Sequence, residues 1–111
     1  MNLSELMSLV RDNWLFDEAN YPQIRECSDS EQQLFALRHV LMHLAKALGK
    51  LSEIVEPLDH KSVPEPPNKA TFEPIVRNFL INTLKLADIA GISPEELAES
   101  VIKWAREKHV P

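Results

Sequence analysis

LFALRHVLMHLAKALGKLSEIVEPL, residues 34–58, is the stretch whose periodicity decides the fold. Leu34, Leu37, Leu41, Leu44, Leu48, Leu51, Val55 and Leu58 recur at alternating steps of three and four, the spacing of a helix that packs along its whole length against other helices. Ser28 and Glu31 stand three residues apart just before it, a capping-box spacing that satisfies the first orphan amides, so the helix is expected to open at Ser28. Pro57 is expected to end it or bend its last turn.

Working outward, Pro57, Pro64, Pro66 and Pro67 lie within a stretch that has neither helix nor strand period, and residues 57–71 read as an extended connection. Thr71 can cap the helix that follows, Pro74 is tolerated in its first turn, and Gly91 is placed to end it in a left-handed conformation. Phe72, Ile75, Val76, Phe79, Leu80, Ile81, Leu84, Leu86 and Ile89 cover much of its circumference, which predicts the most enclosed helix of the fold. SPEE, residues 93–96, supplies a cap at Ser93, proline at the first helical position and Glu96 to close the box. The helix it starts presents Leu97, Val101 and Trp104 on one face and carries Lys103, Arg106 and Lys108 where its dipole favours cations. At the N-terminus, Leu3, Met7, Val10 and Trp14 make an amphipathic first helix, broken by Asn20-Tyr21-Pro22. No polar-apolar alternation marks a strand. The expected fold is an all-α bundle of four to five helices in one domain, residues 1–111.

Composition narrows the function classes. Apolar residues make up 44% of the 111 and charged residues 26%, values of a folding globular chain. A formal net charge of −5 disfavours a surface that tracks a phosphate backbone, while leaving room for a local basic patch. No segment approaches the roughly 20 apolar residues of a membrane span, and Glu5 and Asp12 stand where a signal peptide would be basic. A cytoplasmic protein is expected, binding neither nucleic acid nor membrane. Cys27 is the single cysteine, so an intramolecular disulfide and a cysteine-rich zinc site are both excluded.

FALRHVLMHLAKALGKLSEIVEPL and FLINTLKLADIAGISPEELAESVIKWAREK, within residues 31–106, resemble the MazG-like all-α nucleoside triphosphate pyrophosphohydrolases. The resemblance implies a helical bundle completed by pairing with a second copy, as a homodimer or a dimer-based tetramer. It also implies where a metal site would lie. The family's first helix carries EExxE followed by leucine, its enclosed helix carries ExxD, and these acids hold magnesium against the triphosphate, because magnesium takes hard oxygen ligands. On this chain EExxE falls on Lys46, Ala47 and Lys50, with Leu51 matching, and ExxD falls on Ile75 and Asn78. Every acid is replaced. Glu73 lies two positions before the required one, about 200° around the helix.

Two functional readings follow. In the first, the chain is a divergent relative without magnesium-dependent catalysis that binds a partner chain or a small nucleotide- or phosphate-like anion. In the second it is an active pyrophosphohydrolase using Mg2+, with its acids relocated to Glu53, Glu56 and Asp59, which do not reproduce the EExxE spacing. The first reading rests on His39, His43, Lys46 and Lys50, which lie within about 60° of one another on a helical wheel, opposite the leucines. That ridge is either a solvated face or one wall of a cationic pocket, with Asn78 and Arg77 contributing from the enclosed helix. Ammonium and amide donors can hold a phosphate or carboxylate without a metal. His39 and His43 also have a two-histidine metal spacing, but a third ligand, from Asp59, His60 or His109, would be needed beside two lysines, and no metal is expected. Asn78, Asn82 and Thr83 are expected to bond between helices, Asp88 to meet a lysine, and Trp14 and Trp104 to anchor the core or an interface. No serine or cysteine has an identifiable base, so nucleophilic catalysis is not expected.

Overall fold

In a computed structural model that describes residues 1–14, 16–60 and 66–108, the chain is all-helical. Helix α1 spans Leu3–Asn13, α2 Asp29–Asp59, α3 Lys69–Ile89 and α4 Pro94–Lys108, with a short 3₁₀ turn at Pro22–Ile24. Helix α3 is the centre: it packs against α2 on one side and α1 on the other, and α1 also meets α4. Among the described residues no helix is long and apolar enough to cross a membrane.

Local chemistry sets the helix ends. The Ser28 hydroxyl accepts from Glu31 N while Glu31 reaches back to Ser28 N, closing the box that opens α2. Ser93 and Glu96 do the same for α4. Helix α3 stops in a Schellman arrangement, with Ile92 N donating to Ala87 O, Gly91 N donating to Asp88 O, and Gly91 at φ 74°. A side chain at Gly91 would meet its own backbone in that left-handed conformation, which is why glycine ends the helix.

Two boundaries differ from the sequence reading. Helix α2 continues through Pro57 to Asp59, with Pro57 within its last turn. Asn68, not Thr71, caps α3: its side chain accepts from Thr71 N, and Thr71 is the third residue of the box. The connection is therefore shorter than residues 57–71, and its part at 61–65, with Pro64, lies outside the described residues.

The largest departure concerns which side of α2 is covered. Its buried positions are Ala36, Val40 and Ala47, with Val40 only 1% exposed, whereas Leu34, Leu41, Leu48, Val55 and Leu58 are exposed. Small residues let α3 approach closely on the alanine side, so that side faces the bundle and much of the leucine stripe does not. A second cluster joins Met7, Leu84 and Ala87, flanked by Leu3, Leu6, Val10 and Leu97. Helix α4 has no fully buried residue, and Trp104 stands exposed instead of anchoring the core. Arg11 takes the partner role expected of a lysine at Asp88, with Nη2 2.7 Å and Nε 2.8 Å from Oδ1, and so ties α1 to the end of α3.

Candidate functional site: a cationic pocket between two helices

The turn of α2 toward α3 has a direct chemical consequence. His43, Lys46 and Lys50 follow the i, i+3, i+7 spacing of one helical face, and Asn78, Asn82 and Lys85 follow i, i+4, i+7 on α3. The two faces meet. Together with Ala47 and Ile81 these six side chains line a cavity of about 220 Å³. No carboxylate is among them. The described ion pairs join Arg11 to Asp88, Arg25 to Glu18 and Lys103 to Glu107, so among the described residues none of the pocket lysines has a carboxylate partner. In a chain of net charge −5, three lysines around one cavity make a local positive field.

One wall of the cavity is polar and unsatisfied. Asn82 is 6% exposed; its Nδ2 donates to the Asn78 carbonyl at 2.8 Å, and its Oδ1 is buried with no hydrogen-bond partner among the described residues. The bond stays within α3, so the expected asparagine contact between helices is not made, and Thr83 is exposed. An orphaned buried acceptor costs about 1–3 kcal/mol, which marks Asn82 as a residue held against stability.

His39 does not line this cavity. Its ring stacks against Trp14 with centroids 6.1 Å apart and meets Tyr21 edge-on, with the Tyr21 hydroxyl 3.4 Å from Nε2. Trp14 Nε1 donates to the same hydroxyl at 3.2 Å, and Phe16 and Phe35 complete the cluster. Trp14 is thus an anchor, as expected. His39 connects back to the pocket through His43, whose ring centroid is 4.5 Å away. Burial, then the nearby His43 and Lys85, lower the His39 pKa, favouring the neutral imidazole.

Arg77 is also displaced from its expected place. One residue before Asn78 on the helix, it points about 100° away and lines a neighbouring apolar cavity. Lys85, absent from the sequence reading, is the residue that joins the two regions. It lines both cavities, its Nζ lies 4.5 Å from the Trp14 ring centroid, and desolvation lowers its pKa. The signal that would have found it is the Asn78, Asn82, Lys85 spacing, hidden by the apolar residues between them.

Among the described residues no three His, Cys, Asp or Glu side chains converge as metal ligands. Glu56 and Asp59 border an open groove with Leu48, Leu51, Ser52 and Val55, whereas Glu53 does not. His109 lies outside the described residues. At the positions where the MazG-like motif would be acidic, Lys46, Ala47, Lys50 and Asn78 line the cationic pocket and Ile75 is buried. Compared with models of known families, with curated proteins and with solved structures, the chain matches none.

Proposed function

We propose that this protein binds a small phosphate-like anion in the pocket between α2 and α3, without a metal and without hydrolysing it. One observation carries the reading: Lys46, Lys50, Lys85, His43, Asn78 and Asn82 converge on one cavity that has no carboxylate in its lining. Mutually repelling ammonium groups disfavour the empty site, and an oxyanion accepting from them relieves that repulsion. Asn82 Oδ1, with under 1 Å² exposed, meets a ligand only if the side chain turns into the cavity, and it then favours a ligand that also donates. A phosphate monoester, whose second pKa is about 6, still carries a hydroxyl in its monoanion and meets both demands. Titration calorimetry with inorganic phosphate and a chelator tests this: saturable binding that weakens with salt is expected, and no heat of binding at millimolar phosphate refutes it.

Resemblance to the MazG-like enzymes suits this reading as a divergent, cytoplasmic bundle whose acidic metal ligands have been exchanged for cations and amides. The alternative, an active pyrophosphohydrolase using Glu53, Glu56 and Asp59, is disfavoured by the separation of Glu53 from the groove that the other two border.

Pairing with a second copy belongs to the same proposal. The chain exposes 8551 Å², whereas a compact monomer of its mass exposes about 6,200 Å². Its radius of gyration is 17.7 Å, against about 13 Å for a compact domain of its length. Leu34, Leu41, Leu48 and Val55, one heptad apart, run along the uncovered side of α2. A homodimer covering this stripe would bury part of that surplus.

A further inference from the structure

The cationic pocket has an apolar neighbour. Leu6, Leu9 and Val10 of α1, Trp14, and Leu80 and Ile81 of α3 are the main walls of a cavity of about 500 Å³. Ile81 and Lys85 line both this cavity and the cationic one, so the two share a wall. Cations sit at the apolar cavity too, because Arg77 and Lys85 are the charged groups in its lining. Sites for small ligands combine such an apolar body with a few placed polar groups, and the two cavities together have the size of such a site.

We infer that the ligand is an amphipathic monoester: a phosphate head held by Lys46, Lys50 and Lys85, with a short acyl or alkyl body lying over Ile81 into the groove between α1 and α3. Charge complementarity chooses an anion, since the groove's only charged neighbours are basic. Aliphatic lining chooses the body, because leucine, valine and isoleucine offer area to a saturated chain and few partners to a polar one. Lys85 is the hinge of the arrangement. Its ammonium lies 4.5 Å from the centroid of the Trp14 ring, at the wall the two cavities share, where it can meet the head of a ligand whose body enters the groove.

This inference rests on the anion-binding reading, and a homologous series separates the two. Binding of inorganic phosphate, methyl phosphate, butyl phosphate and hexyl phosphate is measured on the full chain by calorimetry, at fixed ionic strength with a chelator and below the micelle range, with hexanol as a head-free control. Affinity is expected to rise about two- to four-fold per methylene. The Leu9→Gln, Leu80→Gln double variant, changed at two half-exposed positions, is expected to bind inorganic phosphate as wild type does and to lose the dependence on chain length. Lys50→Gln is expected to weaken every phosphate together. If hexyl phosphate binds no tighter than inorganic phosphate, the inference fails while the anion pocket stands. Should hexanol bind as tightly as hexyl phosphate, the groove is occupied independently of the head and the inference fails as well. If no phosphate binds, both readings fall.

Discussion

Lys85 Nζ lies 4.5 Å from the centre of the Trp14 ring, and that ring in turn stacks on His39. One contact thereby couples the N-terminal segment, α2 and α3 at the edge of the cationic pocket. Aromatic faces attract cations by about 0.5–2 kcal/mol, enough to hold a partly desolvated lysine in place while leaving its charge for a ligand. The Lys85 charge is therefore positioned in the empty protein, and the proposed binding of an anion would avoid part of the cost of ordering that side chain.

Asn82 is expected to set the selectivity of the proposed site. Sulfate has no proton to give at neutral pH, whereas monoanionic phosphate can donate to Oδ1, so phosphate should bind several-fold tighter than sulfate at equal ionic strength and pH 6. Asn82→Leu removes the orphaned acceptor with little change of shape. The empty variant is expected to be as stable as wild type or up to about 2 kcal/mol more stable, with the preference for phosphate gone. A marked loss of stability without any change in preference would show that Asn82 serves packing alone.

Histidine 39 predicts how stability follows pH. Burial and neighbouring positive charge depress its folded pKa, while the unfolded chain titrates near 6.5. Above that value both states are neutral and the contribution is fully present. As pH falls through about 6.5 toward the depressed folded value, the unfolded chain takes up the proton first, and stability declines. Melting temperatures between pH 7.5 and 5 should fall more steeply for wild type than for His39→Gln. Equal slopes would remove His39 from the account.

Two leucines distinguish core from contact surface. Leu84 is buried against Met7 and Ala87, and Leu84→Ala should cost about 2–4 kcal/mol without altering oligomeric state. Leu41 and Leu48 are 64% and 56% exposed in the single chain. Sedimentation should show a dimer for wild type at micromolar concentration and a monomer for the Leu41→Glu, Leu48→Glu variant. A stable wild-type monomer would contradict the proposed pairing.

Catalysis gives a further check. With Lys46, Ala47, Lys50, Ile75 and Asn78 at the positions where MazG-like enzymes carry acids, purified protein should release no pyrophosphate from nucleoside triphosphates with magnesium or manganese. Release that Glu53→Gln abolishes would restore the enzymatic alternative.

The helices were legible because their signals are local: the boxes at Ser28 and Ser93 and the glycine at 91 act within a few residues. Which side of α2 faces the bundle was not. Leucine periodicity marks a side that can pack, but alanines at 36 and 47 and Val40 mark the side that α3 approaches, and only the tertiary arrangement chooses between them. That choice put His43, Lys46 and Lys50, still exposed, at the rim of the helix junction. His43, Lys46, Lys50 and Asn78 could be named from the sequence, since polar groups at helical spacing stand out there. Asn82 reads there only as a contact between helices, and Lys85 is concealed because apolar residues separate it from Asn78 and Asn82 in the sequence. Arg77 was misplaced by about 100° around α3, and His39 by a turn along α2, where it meets Trp14 and Tyr21 instead of the pocket.

The central claim is that Lys46 and Lys50 hold an anion directly. Its most direct test compares wild type with the Lys46→Gln, Lys50→Gln double variant by thermal unfolding, with and without millimolar inorganic phosphate, in the presence of a chelator. Because ligand bound only by the folded chain stabilises it by mass action, phosphate at 100 times its dissociation constant should add about 2.7 kcal/mol to wild type, a response that shrinks with salt. The variant should be equally or more stable without phosphate, since repulsion is relieved, and should respond to phosphate little or not at all. An equal response in both proteins, or none in either, would contradict the claim and leave the two lysines as a solvated face.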